Sequence, residues 1–382
     1  MDFDFNDDQR LLKQSVDRLI ADKYGFAQRQ AMSAEPDGWS RAMWQQFAEL
    51  GLLGLPFDEA QGGFGGGPVE SMIVAEAFGR GLVLEPYFST VVLGGGLLRR
   101  AADAPMQAEL LGQIASGELL VAFAHVERHS RYELCNVATI ARRQGSGFVL
   151  EGDKSVVLHG DTASKLLVTA RTAGGTRDRD GIGLFLVEVP GEGVSVRGTR
   201  TQDGLRAAEV SLAGAVGIPL GDPGSALPVV ERVVDEALAF LAAEAVGVMS
   251  CMLDATVDYM KQRKQFGRAI GDFQALQHRA VDMMVLLEQA RSMALLATML
   301  SGSEDAVERH EACAAAKVQI GRSGRRLGQE AVQLHGGIGV TMEYAVGHYF
   351  KRMSMIELLF GDADFHLSRL AAAGGFSPDR GS

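Results

Sequence analysis

Cysteine is scarce in this sequence, which contains three: Cys135, Cys251 and Cys313. They lie far apart, in apolar or helical surroundings, and their spacing matches neither a disulfide framework nor a metal site. We therefore expect buried free thiols in a reducing compartment, and we predict no bound metal.

The sequence also lacks an excess of positive charge, since 37 lysines and arginines oppose 48 aspartates and glutamates and the net charge is −11. This balance argues against nucleic acid as a partner. The acidic start Met1-Asp2-Phe3-Asp4-Phe5 has no basic or apolar leader pattern, and no apolar run reaches the roughly 18 residues that a membrane span needs. We predict a cytoplasmic protein without a membrane partner.

The hydrophobic pattern divides the 382 residues into three segments. Residues 1–119 have helical periodicity, residues 120–226 change to the alternation of strands, and residues 227–382 return to long helices. With 47% apolar residues, the chain can bury the cores of about two or three packed units. We predict a mainly α fold with an N-terminal α-helical domain, a middle β-barrel-like domain and a C-terminal four-helix bundle.

The C-terminal segment predicts three long helices. They are expected over Leu227–Gln265, Gln274–Leu300 and Ser303–Gln333, and Ser303 is the expected N-cap of the third. A glycine-rich tract near residue 62 follows no predicted strand and carries no Lys-Ser/Thr pair, so it is interpreted as a structural connection and not as a phosphate-binding loop.

A basic stretch separates the first two of these helices. Lys261, Arg263, Lys264 and Arg268 gather around Gly267, where the helical pattern breaks. Cations at a helix end beside a glycine turn can hold a phosphorylated ligand by charge and by close backbone approach. The alternative is a basic, solvated helix end.

A second glycine-containing stretch, Gln-Leu-His-Gly-Gly-Ile-Gly-Val at 333–340, ends the third helical pattern. Together with Arg-Lys-Gln-Phe-Gly at 263–267, it resembles the two signature regions of the acyl-CoA dehydrogenase family, flavoenzymes that desaturate acyl-CoA thioesters between the α and β carbons. The length, the helix order and the glycine-rich region also agree, so the resemblance covers essentially the whole chain. It is closest to the small subunits of the bacterial pimeloyl-CoA dehydrogenase group.

The resemblance implies FAD as the cofactor, with the isoalloxazine between the β-domain and the C-terminal bundle and the adenosine and pyrophosphate held by a neighbouring subunit. It assigns this second task to the cofactor-binding residues Arg263, Phe266, Gln333, Gly336 and Gly337. The chemistry suits these roles, because a guanidinium is a forked cation for pyrophosphate and paired glycines permit close backbone approach. The alternative for Arg263 is a surface ion pair with Asp235 or another carboxylate.

Desaturation needs a base for the α-proton, which most family members supply as a glutamate in a loop after the last long bundle helix. The resemblance places Asp362 at that position and makes it the predicted catalytic residue. Its side chain is one methylene shorter than glutamate, and the alternative is a helix-capping or surface carboxylate. Some relatives carry the base on the helix before the first signature; the matching position here is Ala237, which cannot act as a base.

The flavin-facing segments of the middle domain depart from the family pattern. A loop at 125–131 keeps only Glu127 of the family's Thr-Glu-Pro-Gly-Ser-Asp-like segment, and Val156–His159 stands in place of Trp-Ile-Thr/Ser. Val126 and Leu158 thus replace hydroxyl donors to the flavin ring, whose polar edge atoms would lose partners.

This asymmetry predicts a heteromer, because a chain with an intact cross-subunit half and a degraded intrasubunit half can still complete a partner's site. We predict a tetramer with a larger acyl-CoA dehydrogenase subunit, an acyl-CoA substrate such as pimeloyl-CoA, and an electron-transfer flavoprotein as electron acceptor. The alternatives are a homotetramer, an assembly subunit without an active site of its own, and an oxidase or flavin monooxygenase on the same scaffold.

Overall fold

A computed structural model describes residues 4–145 and 147–374. Residues 1–3, 146 and 375–382 belong to the predicted domains but lie outside the described residues. The α-helices of the described ranges are α1 (Asp7–Lys23), α2 (Phe26–Ser33), α3 (Arg41–Glu49), α4 (Pro68–Gly81), α5 (Gly96–Ala101), α6 (Ala104–Ala115), α7 (Leu227–Gln262), α8 (Gln274–Ser301), α9 (Ala306–His335), α10 (Ala345–Leu358) and α11 (Ala363–Ala372).

The strands are β1 (Val121–Ala124), β2 (Ile140–Gln144), β3 (Gly147–Leu158), β4 (Lys165–Arg171), β5 (Ile182–Glu188), β6 (Val194–Arg200), β7 (Arg206–Leu220), β8 (Lys264–Gln265) and β9 (Arg268–Ala269). Short 3-10 turns cover Glu59–Gln61, Ile270–Asp272 and Gly336–Val340, and a π-helical segment covers Phe88–Gly95.

The middle strands close into a ring. β4 pairs with β2, β2 with β3, β3 with β7, β7 with β5, and β5 returns to β4. β1 and β6 extend this ring by pairing with β4 and β7. Alternate side chains point inward to a core that includes Leu150, Leu166, Val168 and Phe185, all 0% exposed. The predicted barrel-like domain is therefore a closed five-stranded barrel in a seven-stranded sheet.

Contacts group the chain into two units. One contains residues 1–30, 68–83 and 238–382, and the other contains residues 31–67 and 84–237. This grouping does not test the predicted domain boundaries after residues 119 and 226, which stay predictions.

The N-cap of α9 differs from the prediction. The Asp305 carboxylate accepts hydrogen bonds from the backbone N–H groups of Val307 and Glu308, at 2.9 and 3.2 Å. The prediction that Ser303 is the N-cap is wrong, because its hydroxyl lies two residues earlier and instead donates to the Glu308 carboxylate at 2.7 Å. A carboxylate at the N-cap also complements the positive end of the helix dipole.

Within residues 4–145 and 147–374, the helices α7 and α8 are long and apolar enough to span a membrane by length and composition alone. In α7, 83% of the apolar window is buried within the chain, which is the pattern of a core helix. In α8 the buried share is 33%, so much of its apolar surface faces outward.

Glycines set the close approach of α4 to α7. A Cβ at Gly79 would lie 2.0 Å from the Glu244 carbonyl oxygen, and a Cβ at Gly247 would lie 2.0 Å from the Glu76 carbonyl oxygen. Backbone atoms cannot swing aside as a side chain can, so each helix needs a residue without Cβ where the other helix crosses it.

We expect Gly247→Ala to lower the free energy of unfolding by about 1–3 kcal/mol, because the added methyl group overpacks this crossing. Alanine is otherwise the better helix former, so a loss of stability on this substitution would indicate the steric clash. Gly112→Ala in α6 is the control, because a Cβ there meets nothing within 4 Å. Thermal unfolding of both variants measures the effect; equal or higher stability of Gly247→Ala would contradict the close contact.

Candidate functional site

The basic stretch after α7 folds as a tight hairpin. The Arg263 amide donates to the Tyr259 carbonyl oxygen at 2.8 Å, and the Ile270 amide donates to the Arg263 carbonyl oxygen at 2.8 Å. Phe266 and Gly267 form the two-residue turn, with φ of 53° and 82°, as a type I′ hairpin turn requires. The chain therefore leaves the helix at Gln262 rather than at the predicted Gln265.

The hairpin exposes an aromatic ring and several cationic side chains. Phe266 is 91% exposed, and its ring meets the Phe273 ring edge-on at 6.2 Å. The Arg268 guanidinium lies over the Phe273 ring, 4.1 Å from its centroid. The exposed side chains of Arg263 and Lys264 have no hydrogen-bond or ion-pair partner in the part of the chain that the structure describes. The alternative of a carboxylate partner for Arg263 is thus not found there.

The second signature stretch forms an open turn at the end of α9. Gly336 adopts φ 65° and ψ −143°, a conformation that side chains with a Cβ rarely adopt. A Cβ at Gly336 or Gly337 would meet nothing within 4 Å, so both glycines face open space. Gln333, one turn earlier, is also exposed. This surface lets another molecule approach the backbone closely.

Aromatic packing joins the hairpin to the glycine turn. The Tyr259 ring stacks on the His335 ring at 4.5 Å, and the Tyr344 ring lies 5.0 Å from His335 and 6.4 Å from Tyr259. Burial lowers the pKa of His335, and its Nδ1 lies 2.8 Å from the Ala331 carbonyl oxygen. The neutral imidazole is therefore a packing group, and its ring contacts join the two signature stretches.

In the middle domain, Glu127 fixes the loop at 125–131, which is the predicted flavin loop, through buried hydrogen bonds. Its Oε1 accepts from Lys154 Nζ at 2.6 Å and from Thr139 Oγ1 at 2.7 Å, and its Oε2 accepts from the Ala138 amide at 2.8 Å. Lys154 is 0% exposed. Lys154 is not among the residues predicted from the sequence, and its inward position in the alternation of β3 is the one signal that indicates its burial.

The two charges of this pair depend on each other. Burial alone would raise the pKa of the Glu127 carboxyl, but the Lys154 ammonium and the hydrogen bonds to Thr139 and Ala138 lower it overall. Burial lowers the pKa of Lys154 to about 8, against the attraction of Glu127. Glu127 therefore acts as a structural anchor that fixes the loop and the start of β2.

A polar cavity of about 570 Å³ lies beside this anchor, on the outer face of β3, β6 and β7. Its charged lining residues are Glu127, Arg128, Asp153, Arg197 and Glu209, and the His129 side chain lines it as well. Cations and carboxylates are both present, so the cavity has no strong charge of one sign.

The end of β3 is strained and apolar. Val156 and His159 have φ of 51° and 52°, a region that non-glycine residues rarely occupy and that concentrates at functional sites. Val156 is 44% exposed. With Leu158, it offers methyl groups where the family pattern offers a tryptophan and a hydroxyl.

Asp362 lies in the turn between α10 and α11. Its Oδ1 accepts a hydrogen bond from the Phe365 amide at 2.9 Å, so it is the N-cap of α11. Its second oxygen has no hydrogen-bond partner within the described ranges and stays available. Both alternatives for this residue, helix cap and base, are compatible with this geometry, and its catalytic role stays a prediction.

The residues of the hairpin and the glycine turn fit the adenosine and pyrophosphate half of FAD. Arg263 offers an unpaired forked cation, Phe266 an exposed ring, and Gly336 and Gly337 an open backbone. The middle-domain residues fit the flavin ring less well, since Val126 and Leu158 carry no hydrogen-bond donors in their side chains. The two halves of the predicted site thus differ in quality.

Comparison with known proteins gives matches along the chain. Three domain models of one family match: "Acyl-CoA dehydrogenase, N-terminal domain" over residues 6–118, "Acyl-CoA dehydrogenase, middle domain" over residues 122–213, and "Acyl-CoA dehydrogenase, C-terminal domain" over residues 227–375. "Probable acyl-CoA dehydrogenase YngJ" of Bacillus subtilis (strain 168) is 27% identical over 381 residues, covering 98% of this chain and 99% of the relative.

Solved structures share the fold. A variant of the "Tcur3481-Tcur3483 steroid ACAD" has a TM-score of 0.86 and 28% identity, covering 97% of this chain and 99% of that chain. The "FAD complex of PigA" has a TM-score of 0.89 and covers 98% of this chain and 99% of that chain. At 23% identity, this second likeness concerns the fold alone.

We expect Lys154→Met to lower the free energy of unfolding at neutral pH by about 3–5 kcal/mol, because it leaves the Glu127 charge buried without its partner. The pKa of Glu127 is lowered in the folded chain, so the stabilisation is present above the unfolded pKa of about 4.3 and is lost as the pH falls through the folded pKa. The difference between variant and parent should therefore shrink below about pH 4.

The control is Arg142→Met, which removes the Arg142–Glu151 pair, with side chains 66% and 55% exposed. Such a surface pair contributes about 1 kcal/mol or less. Chemical denaturation at several pH values measures the free energy of unfolding of the parent, Lys154→Met and Arg142→Met. Equal losses for the two variants, or a pH-independent loss for Lys154→Met, would contradict the anchor role.

Proposed function

Because the chain belongs to the acyl-CoA dehydrogenase family, we propose that it is the small subunit of an FAD-dependent acyl-CoA dehydrogenase and that it completes the cofactor site of a larger partner chain. FAD is its cofactor and, when bound, supplies the hydride acceptor for α,β-desaturation of an acyl-CoA thioester. An electron-transfer flavoprotein is the proposed electron acceptor, and a cytoplasmic location stays a prediction.

The observation that carries this proposal is the unpaired surface formed by the hairpin and the glycine turn. An exposed phenylalanine with a positive φ costs free energy in the isolated chain. A ligand that arrives with another subunit would cover its ring. Phe266, Arg263 and Gly336 therefore suit a cofactor that is bound mainly by the partner.

A second surface supports association with another chain. Exposed apolar side chains follow one stripe of α8: Val281, Met284, Val285, Leu296 and Met299. At about 100° per residue all five lie on one helix face, in two groups at 281–285 and 296–299, with the exposed Glu288 and Ser292 between them. Exposed apolar side chains gathered on one face are typical of subunit interfaces. The name "Tcur3481-Tcur3483" shows that a solved relative is described as a pair, which is consistent with a hetero-partner.

The proposed substrate is a dicarboxylyl-CoA such as pimeloyl-CoA, on the strength of the resemblance to the small subunits of the pimeloyl-CoA dehydrogenase group. Heptanoyl-CoA is the matched comparison, because it has the same chain length without the distal carboxylate. Preference for heptanoyl-CoA in the purified complex would contradict this part of the proposal.

We propose Asp362 as the base of this reaction. Its Oδ1 is engaged by the Phe365 amide, while the second oxygen has no hydrogen-bond partner among the described residues. A carboxylate can cap a helix with one oxygen and accept a proton on the other. The competing function is an assembly subunit whose active site lies in the partner chain, and the capping bond of Asp362 and the apolar Val126 and Leu158 favour it.

We expect Arg263→Gln to weaken FAD binding about 10- to 100-fold, because the variant loses charge-assisted hydrogen bonds to pyrophosphate. Lys264→Gln is the matched control, since it removes another exposed cation from the same hairpin. The measurement is the FAD dissociation constant of the assembled complex, determined by flavin fluorescence for the parent and both variants. Equal effects of the two variants would mean that Arg263 acts only through general charge.

Asp362→Asn separates the base from the cap, because asparagine caps helices about as well as aspartate but accepts no proton. We expect it to lower kcat of the complex about 100-fold or more, with thermal stability unchanged. Asp362→Ala should lower both kcat and stability. Full turnover with Asp362→Asn would support the assembly function and exclude Asp362 as the base.

A further inference from the structure

The turn that carries Asp362 contains strained backbone. Phe360 has φ 57° and Gly361 has φ 118°, so two consecutive residues leave the usual regions. A Cβ at Gly361 would lie 2.5 Å from the Phe365 ring and 2.6 Å from the His366 ring. Such a conformation persists only when the surroundings hold it in place.

A buried lysine holds this turn from α9. Lys317 is 1% exposed, and its Nζ donates to the carbonyl oxygens of Glu357, Leu359 and Gly361, at 2.8, 2.8 and 2.7 Å. An ammonium has three N–H donors, so all of them are used. These acceptors lie at the C-terminal end of α10 and just beyond it, where helix carbonyls lack partners within the helix.

His366 holds the remaining carbonyl of the turn. It is 1% exposed, and its Nε2 lies 3.0 Å from the Phe360 carbonyl oxygen. Burial lowers the pKa of His366 to about 3, so the ring is neutral at physiological pH and donates through Nε2. Lys317 and His366 together fix the carbonyls of residues 359, 360 and 361, immediately before Asp362.

We propose that Lys317, assisted by His366, is a positioning residue that fixes the Asp362 carboxylate for proton abstraction. This inference rests on the proposed role of Asp362 as the base. Asp362 follows directly on the three clamped peptide groups, and its own Oδ1 is bound to the Phe365 amide. The carboxylate is thus restrained from both sides. Loss of the clamp should let the turn relax toward unstrained φ values and move the second oxygen.

The charge of Lys317 is set by its surroundings. Burial lowers its pKa to about 7, while the carboxylates of Glu357 on α10 and Asp362 in the turn favour the charged form. The other titratable groups near the turn include His366 and Arg369 on α11 and His310 on α9, and Arg325 on α9 bonds the Glu357 carboxylate. Above its pKa, Lys317 keeps two N–H donors for three carbonyls. The clamp should therefore weaken as the pH rises through about 7.

The test uses the assembled complex with Lys317→Met, Lys317→Arg and, as a control on the exposed face of the same helix, Arg322→Met. We expect Lys317→Met to lower kcat about 10- to 100-fold with KM within about twofold, because small displacements of a catalytic group have effects of this size. Lys317→Arg should restore most of kcat and remove an alkaline fall near pH 7, because arginine stays protonated. Arg322→Met should match the parent.

Hydrogen exchange at the Phe365 amide gives an independent measure of the clamp. Faster exchange together with lower kcat in Lys317→Met supports the proposal. An unchanged kcat and pH profile overturns it, whether or not exchange increases. If Lys317→Met does not fold, His366→Leu decides, with a smaller loss of kcat expected and an unchanged kcat overturning the proposal.

Asp362→Asn, measured in parallel, separates the two claims. An inactive Asp362→Asn beside a fully active Lys317→Met refutes the positioning role alone. Full activity of both variants refutes the base and the positioning role together.

Discussion

The proposed cofactor-binding surface depends on the packing of Tyr259 against His335 and Tyr344. These three rings fix the end of α7 against the end of α9, although the two signature stretches are far apart in sequence. The hairpin and the glycine turn, joined by these rings, present Phe266, Arg263 and open backbone to solvent. A binding site needs its contact residues held in place by packed supporting residues, and the three rings are the supporting residues here.

The two halves of the predicted cofactor site differ in the polar groups that they offer to a ligand. The half around Arg263 and Gly336 keeps unpaired charge and open backbone, whereas the end of β3 offers valine and leucine in place of hydrogen-bond donors. Glu127, the residue kept in the family's flavin loop, serves the barrel through its bond to Lys154. The middle domain therefore keeps its architecture while its suitability for a flavin ring is reduced.

Sequence patterns predicted much of this arrangement, because hydrophobic periodicity indicates helices and strands, and glycine indicates positions where another group can approach the backbone closely. The long helices, the barrel-like domain and the signature stretches followed from such signals. The helix α7 ends before the predicted Gln265 because residues 264–269 pair as a hairpin around Phe266 and Gly267. The cap of α9 differs from the prediction because Ser303 and Asp305 both precede the helix and Asp305 takes the cap. The burial of Lys154 and Lys317 could not be predicted, since it depends on a carboxylate and on carbonyls brought together only by the folded chain.

The most direct test of the shared site is the flavin absorbance and native mass of this chain, purified alone and after co-production with a larger acyl-CoA dehydrogenase subunit. The shared-site account predicts little bound FAD and no turnover for the chain alone, and both FAD and turnover for the hetero-tetramer. A yellow homotetramer with stoichiometric FAD and full turnover would contradict it, because the apolar end of β3 would then hold a flavin without help.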